Sequence, residues 1–529
     1  MLFRKKLIAL SLSQVMLSGM GVAPLAAAQE FSSLEQSVVQ SVDAQSKLVQ
    51  EMVDSIFSFA EPGFQEYRTS EYITDILAAN GFDIAFGISG IPTAWKATWG
   101  EGGPMIALGS DIDALLGLSQ MPGSAEIQPL IAGAPGHGEG HNSGMPAMVT
   151  AALAVKEAMI ANGIPGRLML WPGIAEELLA TKAYFVRDGL FDDVDAVIFT
   201  HVGRDLNTSW GDARNNGMVS VEYTFHGRTA HGAGAPWAGR SALDAVELMN
   251  YAWNMRREHL ALSQRSHYVI SNGGGQPNIV PGEAAVWYYF REEGFASVRD
   301  LFEIGNTISQ AAAMATETTV ERSVLGYAAP HHGNRPMAEA AYEHIKMIGL
   351  PEWSADDIAF NAKVQRGMLG DEAEITPLST QVYPLSTPET RGDRRVGYSD
   401  DIGDIMWTVP TITIGYPANI PNTITHHVTA AMAMATPIAH KGAVAGAKAV
   451  ALTTLDLLTD PDLLAAAKDY FSNVQRAEEL YDPLLSAEDM PAIHLNEQVM
   501  ERMRPRMTEF YYDPESYDSY LEQLGVSYP

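Results

Sequence analysis

Between residues 105 and 203 the chain alternates short apolar runs with longer amphipathic stretches. MIALGSD (105–111), RLMLWPG (167–173) and DAVIFTHVG (195–203) have strand length, whereas AMVTAALAVKEAMIANG (147–163) is long enough for a helix. Alternation of this kind predicts an α/β fold, a mostly parallel sheet flanked by helices. Ligand-binding loops in such sheets follow the carboxyl ends of the strands. Each run here ends in polar groups: Asp111 and Asp113, then Glu176 and Glu177 after a Pro-Gly turn, then His201.

The pattern changes near residue 216. VSVEYTFHG, SALDAVELMNYAWNMRREHL, SHYVISNGGG, AAVWYYFR and SVRDLFEIGNTISQAAAMA form a strand-helix-strand-strand-helix series, so 216–332 is read as an inserted α+β unit. The first domain, 29–215, then resumes over 333–470 with NRPMAEAAYEHIKMIG, TVPTITIGY and the helix HKGAVAGAKAVALTTLDLL. Residues 471–529 are polar, aromatic and punctuated by proline, without clear periodicity, and read as a surface-wrapping tail.

Composition narrows the possibilities. Sixty-four acidic against 34 basic residues give a formal charge of −30, which disfavours nucleic acid and anionic membrane surfaces as partners. The chain begins with a basic MLFRKK, an apolar LIALSLSQVMLSG and an A-x-A site at Ala26 and Ala28, so residues 1–28 read as a secretory signal peptide. No other segment reads as a membrane span, and the expected location is periplasmic or secreted. Cysteine is absent, which removes disulfides and thiolate ligands and suits an oxidising compartment. The chemistry must therefore use His, Asp and Glu.

Candidate groups in chain order are Asp111, Asp113, His137, Glu139, His141, Glu176, Glu177, His201, His426, His427 and His440. Any one of these histidines alone is more often a hydrogen-bonded structural residue, and an Asp pair is often a cap or turn. Imidazoles and carboxylates gathered at strand ends are what a divalent metal site requires. The neighbouring acids Glu176 and Glu177 suggest a division of labour, one a ligand and the other a general base. NGGGQPN lacks the strand-to-helix context of a phosphate loop, so nothing supports nucleotide binding.

GSDIDALLGLSQ, PGHGEGHNSG, PGIAEELLATKAYFVRDGLFDDVDAVIFTHVG, AHGAGAPWAGRSALDAVELMN, HYVISNGGGQPNIVP and AHKGAVAGAKAVALTTLDLLTDPDLL occur in order with compatible spacings. Together, over roughly residues 45–470, they resemble the amidohydrolase branch of the aminoacylase and carboxypeptidase metallopeptidase superfamily, and within it the p-aminobenzoyl-glutamate hydrolase B-subunit type. The resemblance implies a zinc-peptidase-like mixed sheet flanked by helices, with an inserted ferredoxin-like α+β domain that dimerises and acts as a lid. It implies two divalent metal ions per subunit, zinc above all, with manganese, cobalt or nickel as alternatives. Position by position, it puts the metals on Glu139, which bridges, and on His141, Glu177, His201 and His426. Glu176 falls on the general base and Asp113 on an acid that orients a ligand imidazole. His231 matches a lid histidine that reaches the partner subunit's substrate, Asn278 a lid asparagine near the substrate, and Arg291 a position where some relatives bind a substrate carboxylate.

The departures are specific. The branch has cysteine where this chain has Glu139, Leu116 replaces a proline, and His427 adjoins His426 without the usual flanking pattern. His426 is preferred because it lies fourteen residues before His440 of the H-K-G motif. The leading expectation is an exported, homodimeric or larger metal-dependent amidohydrolase or peptidase. It would cleave the amide bond of an N-acyl or aroyl amino acid or a small peptide-like substrate. A non-catalytic binding protein on the same fold and a dipeptidase or aminopeptidase stay open as alternatives. N-terminal analysis of the exported protein is expected to begin near Gln29; retention of residues 1–28 after export would contradict the leader.

Overall fold

The computed structural model describes residues 31–393, 395–477, 481 and 483–529, so the leader expected over residues 1–28 lies outside the described residues. Two sheets organise the chain. The larger has seven strands in the order Asp83–Phe86, Trp95–Glu101, Gly166–Gly173, Met105–Asp111, Ala196–Gly203, Thr411–Pro417, Asn207–Thr208. Its four central strands, from Gly166–Gly173 to Thr411–Pro417, run parallel, and the strands at either edge are antiparallel, which makes the sheet mixed.

Central parallel strands are covered on both faces, which is why they read as unbroken apolar runs. Leu168, Leu170, Trp171, Ala196, Val197, Ile198 and Phe199 are all fully buried. The helices Gly144–Asn162 and Pro437–Thr459 pack against each other and against the sheet. Both are long and apolar enough to span a membrane, contrary to the expectation that no segment beyond the leader is, yet 78% of each apolar window is buried inside the protein. Burial from several sides explains a helix that is apolar all round.

The smaller sheet carries the insert. Its strands are ordered Thr319–Ala328, Gly217–His226, Glu283–Glu292, Arg265–Asn272, with the helices Ala242–Arg256 and Phe295–Thr316 packed against it. In chain order this is βαββαβ with strand order 4-1-3-2, a ferredoxin-like arrangement. Thr319–Ala328 is the one strand of this sheet that the hydrophobic pattern did not single out. The period of two along Glu283–Glu292 sorts its side chains. Val286, Tyr288 and Phe290 are buried in the core of the insert, while Trp287 packs on the core of the larger sheet and Tyr289 donates a hydrogen bond to the Leu178 carbonyl.

The tail is more regular than its sequence suggests. It forms a helix at Glu497–Met507 whose Met500 and Met507 are buried against Ala60, Ala114 and Ile131. Irregular flanks and Pro505 hid its short apolar stripe.

Close packing at the strand that leads to the site can be tested. A Cβ on Gly109 would lie 2.2 Å from the ring of Trp171, which is wedged among Phe185, Phe191 and Phe199. Gly109→Ala is expected to lower unfolding stability by about 1–3 kcal/mol, the usual scale for overpacking, as a shift in urea midpoint. A change within the noise of the midpoint would show that Trp171 can move aside.

Candidate metal and active site

The parallel strands deliver polar groups to one end of the larger sheet. Met105–Asp111 leads to Asp113, Gly166–Gly173 to Glu176 and Glu177, Ala196–Gly203 carries His201, and the segment after Thr411–Pro417 reaches His426. The glycine-rich loop 133–143 supplies Glu139 and His141 before the helix Gly144–Asn162 begins. These groups surround a cavity of about 700 Å³, which Glu139, Glu176, Glu177, His201 and His426 line directly.

Glu139 is the hub. One carboxylate oxygen lies 2.8 Å from His426 Nε2 and the other 3.5 Å from His201 Nε2. His426 Nε2 is also 3.1 Å from Glu177. Two donor triplets result, Glu139 with His141 and His201, and Glu139 with Glu177 and His426, each with its ligand atoms within 4.8 Å of one another. Asp113 is fully buried and holds one member of each: His141 Nδ1 at 3.1 Å and the backbone N–H of Glu177 at 3.1 Å. His201 Nδ1 donates to the Val202 carbonyl at 3.0 Å, which leaves Nε2 free to face Glu139.

Backbone geometry here is costly for ordinary residues. Glu176 and Glu177 lie in a single tight turn flanked by Ala175 (φ 50°) and Leu179 (φ 51°), and His426 itself has φ 60°. Non-glycine residues in the left-handed region persist only where their surroundings impose it. His427 points elsewhere and caps the helix Val428–Ala431, so the geometry favours His426 of the adjacent pair. His440 and Lys441 are structural, bonded to Asp54 and Asp357 at 2.7 and 2.6 Å.

Charge at the site is heavily anionic. Burial works to raise Glu139, but His426, His201 and His141 outweigh it and hold the carboxyl down at about 2. Burial pushes Glu176 well above the usual carboxylate range, and the neighbouring Asp111 and Asp400 push it further. Hydrogen bonds to Glu139 and Glu177 lift His426 to about 10. Beneath these groups Lys182, fully buried, lies 2.6 Å from Asp111 and 2.5 Å from Asp401. One Asp111 oxygen is thereby held in an ion pair, while the other is buried without a hydrogen-bond partner among the described residues and lies near His141 and Glu176.

This donor set suits divalent cations. Three imidazoles and two carboxylates are the ligand types taken by zinc, manganese, cobalt or nickel. His141 Nε2 is buried with no hydrogen-bond partner among the described residues, a cost that a bound cation would remove.

Other expected residues divide into two groups. Arg291, carried by Glu283–Glu292 of the insert, lines the cavity and bonds Ser399 Oγ at 3.2 Å, with its Nε buried and unpaired. His231 and Asn278 do not line it. They meet each other on exposed loops of the insert, where the Gly232 N–H donates to the Asn278 carbonyl at 2.8 Å and His231 Nδ1 accepts from Gly234 N–H at 2.9 Å. Lys182, His331, Tyr398, Asp400 and Asp401 were not anticipated. The acid run in YSDDIGD just before a predicted strand was the available signal for the last two.

Comparison with known proteins agrees with this architecture. Residues 214–316 match the family model of the M20 peptidase dimerisation domain. The B-subunit of p-aminobenzoyl-glutamate hydrolase from Escherichia coli (strain K12) is 31% identical over 463 residues, covering 84% of this chain and 96% of its own. The Xaa-Arg dipeptidase of Mus musculus is 25% identical over 472 residues, covering 86% and 95%. The crystal structure of an aminobenzoyl-glutamate utilization protein from Klebsiella pneumoniae shares the fold with a TM-score of 0.52 at 18% identity, covering 80% of this chain and 98% of that one. The chain therefore belongs to the M20 family of the aminoacylase and carboxypeptidase metallopeptidase superfamily, in its amidohydrolase branch.

Proposed function

We propose that the protein is a metal-dependent amidohydrolase that releases an amino acid from an N-acyl or N-aroyl amino acid or a small peptide-like amide. The observation that carries this reading is the sharing of Glu139 between two donor triplets at the floor of the cavity, with Glu176 beside them. Two divalent cations, zinc foremost, fit the triplets; the first would be held by Glu139, His141 and His201, the second by Glu139, Glu177 and His426. When bound, they would lower the pKa of water and polarise the amide carbonyl. Glu176, 3.8 Å from His141 Nε2 and facing the cavity, takes the proton from the attacking water and passes it to the leaving nitrogen. Arg291 binds the free carboxylate of the amino-acid half, a role its unpaired Nε suits.

The insert is read as the dimer interface, and His231, exposed on it, as a group that completes the partner subunit's site by stabilising the oxyanion. Asn278 on the adjoining loop accompanies it. The absence of cysteine and the leader expected over residues 1–28 support a reading of action after export to the periplasm or medium.

Metal content of the purified protein, measured alongside amine release from a panel of N-acyl amino acids, N-aroyl amino acids and dipeptides, tests the reading. Two metals per subunit and chelator-sensitive release support it; a metal-free protein inert on the whole panel refutes it. Glu176→Gln is expected to retain metal and fold while turnover falls about 10²- to 10⁴-fold, the scale of a lost general base. Metal loss in that variant would make Glu176 a ligand. Glu139→Ala is expected to lose at least one metal per subunit and nearly all turnover, and Glu139→Asp to keep partial occupancy. Two metals and near-native turnover in Glu139→Ala would mean that the residue only supports its glycine-rich turn.

A further inference from the structure

Loop 61–66, absent from every motif considered so far, touches both segments that support the metal ligands. The Glu61 carbonyl accepts from the N–H of Ala114, next to Asp113, at 2.8 Å. The Glu66 carboxylate accepts from the N–H of Ala175, next to Glu176, at 2.9 Å. Between them, a Cβ on Gly63 would lie 2.7 Å from the Ala175 side chain, so the two backbones are in close contact.

The outer side of the same loop is held by the C-terminal segment. Arg504 of the helix Glu497–Met507 donates to the Glu61 carboxylate at 2.6 Å and to the Gln65 carbonyl at 2.9 Å. Asn496 donates to the Gly63 carbonyl at 2.9 Å, and Gln65 donates in return to the Leu495 carbonyl at 3.1 Å. Glu61 is fully buried, and Arg504 is the cation that pairs with it among the described residues. A buried carboxylate that loses its cation is strongly unfavourable, although Glu61 also accepts from the Arg68 and Thr69 N–H groups and from Thr69 Oγ1.

We infer that the C-terminal helix is a brace for the metal site: Arg504 and Asn496 clamp loop 61–66, which holds Ala114 and Ala175 and through them Asp113, Glu176 and Glu177. Arg504 is thus a positioning residue that acts without touching substrate. The inference rests on the assignment of Asp113 and Glu177 to the metal centre, and on nothing about the substrate. It gives residues 495–504 a task that a merely surface-wrapping tail would not have.

The test uses the full-length mature protein. Arg504→Ala is expected to accelerate hydrogen exchange at the Ala114 and Ala175 amides by about tenfold or more while amides of the core helix Pro437–Thr459 exchange as before. Its affinity for cobalt, titrated into the metal-stripped protein, is expected to fall about 10- to 100-fold, the range for lost outer partners of a metal site. Turnover falls with KM little changed, and Arg504→Lys restores most of each signal. Should Arg504→Ala fail to fold, Asn496→Ala, which removes one clamp bond, is expected to show the same local pattern more weakly. Native exchange at both amides with native cobalt affinity overturns the inference, as does acceleration spread evenly over all amides, which would be loss of global stability alone. Exchange and cobalt affinity are read without a substrate, so an absence of amide hydrolysis in the native protein would count against the proposed function and leave this test decisive.

Discussion

Negative charge gathered at one end of a buried sheet is the constraint on which the rest of the structure depends. Asp111, Asp113, Glu139, Glu176, Glu177, Asp400 and Asp401 lie close together, most of them deeply buried. Carboxylates removed from water and placed beside one another cannot all stay ionised without cations. The chain meets part of the demand itself: Lys182 sits between Asp111 and Asp401 and offsets one of their two charges, and His141, His201 and His426 lie around Glu139 and Glu177. The two provisions differ in kind. Lys182 is buried and its ammonium is already engaged, whereas His201 and His426 line the cavity with ring nitrogens placed to meet a metal ion.

That difference separates scaffold from site. The Lys182 cluster ties the end of Met105–Asp111 to Asp401, which precedes the strand Thr411–Pro417, and so joins parts of the sheet that the insert splits in sequence. Asp401 also accepts from the backbone N–H groups of Thr181 and Lys182, which fixes the chain just beyond the Glu176–Glu177 turn. From the other side the insert presses on that turn through Tyr289 and Leu178, and Tyr184 Oη donates to the Val324 carbonyl at 2.8 Å. The catalytic half and the insert therefore meet at the very turn that carries Glu176.

The architecture was largely legible in the sequence, because buried parallel strands and core helices write their burial as long apolar runs. MIALGSD corresponds residue for residue to the strand Met105–Asp111. What stayed illegible depended on long-range pairing. Thr319–Ala328 begins with TVERS, polar and exposed at all but Val320, and becomes a strand by pairing with Gly217–His226. Lys182 looks like an ordinary surface lysine at the start of a short helix, and only the fold brings two aspartates 71 and 219 residues away onto it. The metal-ligand candidates were visible through resemblance, since residues as far apart as Glu139 and His426 have no local signal in common. Glu139 stands where the resemblance places a cysteine, and its carboxylate is a harder donor than a thiolate and one that oxidation does not destroy.

Strain around the site follows the same logic as charge. Among the described residues, positive φ at non-glycine positions recurs near the site: at Ala60 and Phe64, which bound and lie within the loop clamped by the tail, at Ala175 and Leu179 on either side of the two glutamates, and at His426. None of these side chains gains from the left-handed region, and each such residue costs on the order of 1–3 kcal/mol. Packing imposes them: Ala60 is buried against Met500 and Met507, Phe64 lies in the main core, and Ala175 meets Gly63. The core and the C-terminal helix thus hold one set of loops in conformations they would not adopt alone. A site that must keep several like charges within a few ångströms before a cation arrives needs that rigidity, because loops free to relax would move the carboxylates apart.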